Sequence, residues 1–283
     1  MSDSPPWPAP AKINRFLHIV GRRADGYHDL QTLFQFLDYG DDLHFRVHDR
    51  GTVHRSGGLP NLREEDDLAV RAALLLQQVT GTHLGVDMHI DKRIPAGGGL
   101  GGGSSDAATT LVALNALWRT ALPTPALAEL ALQLGSDVPV FVSGRASFAE
   151  QRGDRLSSAA PDEPWFLVVD PGVTVSSARM YADARLQRDC ASVTLDDFAA
   201  GRCGNVFEPL VLADHEPVRE AHAWLSNYAS VHLSGTGGCL FAAFPTRADA
   251  RQVLAKLPED WTGIVARGSN VSPLHVRLQR HGD

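Results

Sequence analysis

The segment Pro95-Ala96-Gly97-Gly98-Gly99-Leu100-Gly101-Gly102-Gly103-Ser104-Ser105-Asp106-Ala107-Ala108 constrains this chain more than any other, because six glycines run straight into hydroxyls and good helix formers. Glycine takes positive φ and leaves no Cβ between its amide N–H and an approaching anion, while Ser104 or Ser105 can cap the helix that follows. That helix would aim its free N–H groups, and roughly half a unit of positive charge, into the loop. The run reads as a phosphate cradle. It sits between a patterned strand and a patterned helix, where flexible linkers are seldom found.

Three kinds of phosphate loop compete. Gly98 and Gly103 have the spacing of the Gly-x4-Gly-Lys-Ser/Thr loop, but Ser104 stands where its lysine belongs. Gly97, Gly99 and Gly102 satisfy G-x-G-x-x-G formally. That fold also wants an acidic residue about 20 residues further on, at the end of a next strand, whereas here the chain enters Leu122-Pro123-Thr124-Pro125 and another helical segment. The third kind is the loop of the GHMP small-molecule kinases, which phosphorylate galactose, homoserine, mevalonate and related alcohols. Pro95, Gly99, Leu100 and Gly101 resemble its Pro-x3-Gly-Leu-Gly signature, with Gly102 and Gly103 as extra glycines before Ser104-Ser105.

With 283 residues, 43% hydrophobic and 21% charged, the chain has an ordinary globular composition and room for one large or two medium domains. A formal charge of −7 argues against general binding to nucleic acid or acidic membranes, yet leaves room for a local cationic pocket, with Lys12, Lys92 and Arg93 as candidates. The start, Met1 to Pro6, lacks a basic region and an apolar run, and no later stretch is apolar enough to span a bilayer, so a cytoplasmic protein is expected. Cys190, Cys203 and Cys239 form no C-x2-C pair and read as buried or incidental thiols, indicating neither a disulfide framework nor a zinc site.

Strand-like content runs from Lys12 to Val20, then a Gly21 to Gly26 turn delivers Tyr27-His28 before a second apolar run, Leu30 to Leu37. Leu43, Phe45 and Val47 alternate as a third strand, and residues 49–65 are polar. Leu68, Ala72, Leu75, Leu76 and Val79 recur at helical spacing with Gly81 as a stop, and Val86, Met88 and Ile90 form the strand that feeds the glycine loop. The next helix buries Ala107, Ala108, Leu111 and Val112 on one face, and another covers about Pro125 to Leu134. A boundary is expected near Gln151 to Pro164, giving domains of residues 1–155 and 156–283. Beyond it the pattern is β-α-β-β-α-β: Trp165 to Val169, Val218 to Leu225, Val231 to Leu233, Leu240 to Phe244, a Thr246-capped helix and Gly263 to Val265. That order predicts a split βαβ sandwich. Between its paired strands lies a second glycine cluster, Ser234-Gly235-Thr236-Gly237-Gly238, readable either as a tight hairpin or as the far wall of a cleft.

Phosphoryl transfer needs a positioned γ-phosphoryl group and a base or aligner for the attacking hydroxyl. Asp137, between a helical segment and the apolar run Val138 to Phe141, is the candidate base. Lys12, after the rigid Pro8-Ala9-Pro10 lead, is the candidate cation. Taken singly, the aspartate reads as a capping residue and the lysine as a solvated one. If the two meet, Lys12 would lower the aspartate pKa and contact the transferred phosphoryl.

Five segments occur together and in order: Ala9-Pro10-Ala11-Lys12-Ile13-Asn14, Arg23-Ala24-Asp25-Gly26-Tyr27-His28, Asp91-Lys92-Arg93-Ile94-Pro95 with its loop, Gly135-Ser136-Asp137-Val138-Pro139, and Ser234-Gly235-Thr236-Gly237. Over Pro8 to about His275 the chain resembles the 4-diphosphocytidyl-2-C-methyl-D-erythritol kinase family, a branch of the GHMP kinases. The resemblance implies an α+β fold of two domains, the first with a left-handed βαβ crossover and the second ferredoxin-like. It also implies ATP-dependent phosphorylation of the 2-hydroxyl of the cytidine-diphosphate-linked methylerythritol, in the non-mevalonate route to isoprenoid precursors. Carried over by position, Asp137 is the base and Lys12 its partner, while Asn14, Tyr27, His28 and Tyr181 hold the substrate. Lys92, Pro95, Gly97, Gly98, Gly99, Leu100, Gly101, Gly102, Gly103, Ser104 and Ser105 face ATP, with Gly235, Thr236 and Gly237 buttressing the phosphates. Magnesium is inferred from ATP chemistry, without an evident ligand set. The implied partner is a small molecule, with no nucleic acid or membrane, and the chain is expected to be a monomer or weak homodimer. Two departures stand out. Asp67 occupies a position near adenine where relatives have Asn, and Asp106 places a carboxylate beside the phosphates. A homoserine or mevalonate kinase, or a silent nucleotide-binding protein, remain the alternatives.

Overall fold

Covered on both faces, with residues 9–14 and 31–37 buried without a break, β1 (Trp7–Arg22) and β2 (His28–His48) form a long antiparallel hairpin, closed by the loop that carries Tyr27. The computed structural model describes residues 5–282; of the chain start read above, residues 1–4 lie outside the described residues. The separate apolar runs 30–37 and 43–47 are one strand, against the sequence expectation of two. Polar residues that look like a break serve as acceptors instead. Asp38 Oδ1 accepts from Arg267 N at 2.6 Å, and buried Asp41 Oδ1 accepts from Arg93 N at 2.5 Å and Ile94 N at 2.8 Å.

On one side of β2 lies β4 (Gly85–Asp91), antiparallel to it, and β3 (Val53–Gly57) is parallel to β4. The crossover between them is α1 (Leu68–Thr80), started by the Asp67 carboxylate on Ala69 N and stopped by Gly81 in the left-handed region. The expected helix after the glycine loop is α2 (Gly102–Leu117), but its residues 105–114 are buried without a break, not along one face. Small residues let it pass between the hairpin and its helical neighbours α1, α3 (Thr124–Leu134) and α4 (Val138–Ser143). Next come β5 (Ser147–Gln151), on β2, and β6 (Arg155–Ser158), neither of which stood out in the sequence.

The rest of the chain contributes β7 (Trp165–Asp170), then α5 (Ser177–Ala182), α6 (Leu195–Ala199), α7 (Glu208–Asp214) and α8 (Glu216–Leu225). It continues with β8 (Val231–Leu233), β9 (Leu240–Phe244), α9 (Arg247–Leu254), β10 (Thr262–Ser269) and α10 (Pro273–Gly282). The strand order β10-β7-β9-β8, antiparallel throughout, is the split βαβ arrangement expected, with α5, α6 and α7 added before its first helix. Ser269 and Gly268 of β10 pair with Phe36 and Leu37 of β2, joining both halves in one ten-stranded sheet. A small core fills this junction, including Ile13, Leu37, Phe166, Cys239, Phe241 and the loop residue Leu100. Helix α10 crosses back to the first half. Its Leu274 is buried in the core of that half, together with Trp7, and Arg277 lies over the Trp7 ring at 4.7 Å.

Candidate active site

A cavity of about 880 Å³ opens between the two halves, lined by both glycine clusters and by residues of β1, β2, α2 and α5. Its floor is made by the meeting of the two loops. Ser234 Oγ donates to Gly99 O at 2.9 Å and Cys239 N donates to Gly98 O at 3.1 Å. A Cβ on Gly99, whose φ is 79°, would overlap Ser234 O, so the approach itself requires glycine. The second cluster is thus both hairpin and buttress, since Ser234 N also bonds Cys239 O at 3.0 Å. Gly235 and Thr236 line the cavity. Gly237 does not; it packs toward Val211 and Val175.

The helix after the loop begins one turn earlier than its serines. Gly101, with φ 74°, is the N-cap residue, so neither Ser104 nor Ser105 caps α2. Gly102, Gly103 and Ser104 line the cavity at its first turn, where free N–H groups and the helix dipole favour an anion. Ser105 turns away, fully buried, and donates to Pro10 O at 2.7 Å. Leu100 is 1% exposed and serves as the hydrophobic anchor of the loop. Pro95, Gly97 and Gly98 line the same wall.

Bulges in β1 put Lys12 at the centre. Pairing with β2 shifts between Pro10 and Lys12 and again between Asn14 and Leu17, which frees Lys12 N to donate to Leu100 O at 2.9 Å. Lys12 Nζ, 2% exposed as a residue, lies 3.2 Å from Asp137 Oδ2, donates to Gly99 O at 3.0 Å and to Asn14 Oδ1 at 2.5 Å. The structure therefore brings Lys12 and Asp137 together beside the glycine loop. Asn14 lines the cavity, but its amide is already engaged, receiving Lys12 and donating to Thr32 Oγ1 at 2.8 Å. Its place in this arrangement is to hold the lysine.

The opposite wall is aromatic. The rings of His28 and Tyr181 stack with centroids 5.4 Å apart and an interplanar angle of 29°, and Tyr181 meets Phe207 edge-on at 4.9 Å. Burial, with the Asp137 charge adding to it, pushes the Tyr181 phenol upward, so it stays protonated. Tyr27 is 54% exposed, with Arg152 over its ring at 4.0 Å. Arg22 and Arg152 also line the cavity, and nothing in their sequence surroundings marked them. Of the three cations expected there, Lys12 and Lys92 line it, whereas Arg93 pairs with Asp42 at 2.8 Å outside it.

Lys92 Nζ lies 2.6 Å from Asp41 Oδ2 and 2.6 Å from Asp106 Oδ2. Burial works against its charge, but the two carboxylates outweigh that and raise its pKa. Burial also raises Asp106, to about 7, with the Asp41 charge adding and Lys92 opposing. At the far end Gly58, Leu59, Leu62 and Leu68 give an apolar slot. Asp67 borders it, but its carboxylate is taken up by Ala69 N at 2.8 Å and by Arg55 Nε at 3.3 Å. The carboxylate that replaces an amide there is neutralised within the protein.

Family models for the GHMP kinases N terminal domain and the GHMP kinases C terminal match residues 67–145 and 194–263. A 4-diphosphocytidyl-2-C-methyl-D-erythritol kinase of Alkalilimnicola ehrlichii is 54% identical over 100% of this chain and 97% of its own length, and one of Halorhodospira halophila is 51% identical over 96% of each. A crystal structure of 4-(cytidine 5'-diphospho)-2C-methyl-D-erythritol kinase superimposes with a TM-score of 0.82 at 31% identity, covering 93% of this chain and 98% of that one. A mevalonate kinase structure, at 14% identity and a TM-score of 0.69, shares the fold. With matches of this identity running the length of the chain, it belongs to the 4-diphosphocytidyl-2-C-methyl-D-erythritol kinase family of the GHMP kinases.

Proposed function

We propose that the protein transfers the γ-phosphoryl group of ATP to the 2-hydroxyl of 4-(cytidine 5'-diphospho)-2-C-methyl-D-erythritol, with Asp137 as base. The observation that carries this is the Lys12–Asp137 ion pair of 3.2 Å, which touches the glycine loop through Gly99 and lines the same cavity as Tyr181 of the aromatic wall. Phosphate donor and cytidine acceptor would therefore meet at one carboxylate.

In the reaction, the acceptor oxygen bonds to the γ-phosphorus as the bond from that phosphorus to the β–γ bridging oxygen breaks, and the hydroxyl proton passes to Asp137. Lys12 offsets charge on the transferring group, and the first turn of α2 with the glycine loop holds the phosphates by N–H donors. Cytosine would lie against Tyr27, His28 and Tyr181, and adenine against the slot at Leu59, Leu62 and Leu68. The charges of Arg22 and Arg152 suit the diphosphate of the acceptor.

Magnesium fits one donor here. Asp106 lines the cavity, and its Oδ1 has no hydrogen-bond partner among the described residues, which suits an ion that takes one or two carboxylates and completes its shell with water and phosphate. When bound, the ion supplies charge neutralisation at the ATP phosphates. Among the described residues no helix is long and apolar enough to cross a membrane. The ATP requirement supports a cytoplasmic enzyme, and we read it as a monomer or weak homodimer.

An ADP-release assay comparing the cytidine-linked methylerythritol with homoserine and mevalonate tests the proposal. Turnover of the first alone is expected. Turnover of another acceptor alone would overturn the substrate assignment.

A further inference from the structure

Arg188 reaches His28 from the segment that follows α5. Its Nε donates to His28 Nε2 at 3.1 Å, and its terminal nitrogens donate to the carbonyls of Tyr181 at 2.9 Å, Asp183 at 2.8 Å and Leu186 at 2.9 Å. One guanidinium thus closes residues 181–188 on themselves and ties them to the first residue of β2. The two residues it bridges are those whose rings stack in the aromatic wall.

A guanidinium can only donate, so the ring nitrogen facing it must accept and carries no proton. The neutral imidazole then has its proton on Nδ1, a choice that a free ring leaves open. Burial, followed by the charges of Arg188 and Arg22, holds His28 below its ordinary pKa, which keeps the ring neutral at pH 7.

We propose that Arg188 is a positioning residue for the nucleobase end of the site, fixing His28 as its Nδ1–H tautomer so that the ring offers a base a donor and never an acceptor. The assignment rests on the reading of the Tyr27, His28 and Tyr181 wall as the cytidine pocket. A donor at this nitrogen matches the unprotonated N3 or the O2 of cytosine. Uracil carries hydrogen on N3 and loses the first of these matches, so Arg188 contributes to selection of cytidine over uridine diphosphate esters without touching either.

Side-chain 15N–1H spectra of the ligand-free protein test the tautomer directly, with the His28 signals assigned by their loss in His28→Gln. The wild-type protein should show Nδ1–H at neutral pH, and Arg188→Met should shift the ring toward Nε2–H. A predominant Nε2–H signal in the wild type overturns the proposal whatever the activity. In kinetics, Arg188→Met should raise KM for the cytidine-linked substrate on the order of tenfold, with kcat within about threefold and KM for ATP unchanged. Arg188→Lys, which retains a charged donor, should recover part of the loss. In a His28→Ala background Arg188→Met should add less than about twofold. A full tenfold effect there would mean that Arg188 merely supports residues 181–188, and would also overturn the proposal. Turnover of a non-cytidine acceptor alone would refute the pocket reading, while the spectra would still decide the Arg188–His28 relationship.

Discussion

Lys92 Nζ sits 2.6 Å from Asp106 Oδ2, so the carboxylate directly behind the glycine loop is held by a cation rather than left bare toward phosphate. Asp41 claims the same ammonium, leaving two buried carboxylates to share one half-buried lysine. That composition explains why burial succeeds in raising Asp106.

Because the folded-state pKa of Asp106, about 7, lies above the ordinary carboxylate value, the folded protein binds this proton more tightly than the unfolded chain. Its contribution to stability is complete below about pH 4 and is lost as pH rises through about 7. Asparagine at this position cannot titrate. We predict that Asp106→Asn gains at least about 1 kcal/mol relative to wild type between pH 5 and pH 8, read by urea denaturation at both values. An unchanged difference would show that the proton is bound elsewhere.

Asp137→Asn keeps the shape of the carboxylate and removes its basicity. ADP formation should fall by about 10²–10⁴ while ATP binding, followed by calorimetry, remains measurable. Near-normal turnover would exclude Asp137 as the base.

Lys12→Met tests the other member of the pair. Its stem is buried and methionine can fill much of that volume, so folding should survive with a modest loss of thermal stability. Transition-state stabilisation should not survive, and a drop in kcat of about 10²–10³ is expected. Retained kcat together with an unchanged pH profile would refute the partnership.

Gly99→Ala meets both a left-handed backbone and the Ser234 carbonyl. We predict a rise of at least about tenfold in KM for ATP and a stability cost of about 1–3 kcal/mol, compared by steady-state kinetics and denaturation. The control is Gly81→Ala, also at positive φ but with open space around its added Cβ, which should affect stability alone.

Local signals carried part of this far. The spaced apolar residues from Leu68 to Val79 and Gly81 wrote α1 into the sequence, because periodicity and a glycine stop act locally, whereas the cap by Asp67 emerged only in the structure. Strand β2 reads as two in the sequence, since the acceptor roles of Asp38 and Asp41 depend on Arg267, Arg93 and Ile94, and local sequence carries no trace of those partners. The cushioning of α2 on nearly all sides was hidden by its alanines and threonines, which blur any polar face. In the site, the glycine loop could be read from its own residues, whereas Lys12 and Asp137 meet only through the tertiary fold and were paired by family likeness. Arg188 and Arg152 left no signal, because a loop arginine has no periodicity and its chemistry lies in the carbonyls and rings it reaches.

The return of α10 to the first half has a temporal consequence. Leu274 and Arg277, synthesised long after Trp7, complete the packing around it. The β1–β2 hairpin therefore leaves the ribosome with its core unsealed and waits for α10 before it can close. Nascent chains stalled before Pro273 should be cut readily by protease within β1, and those extended by the last helix should resist.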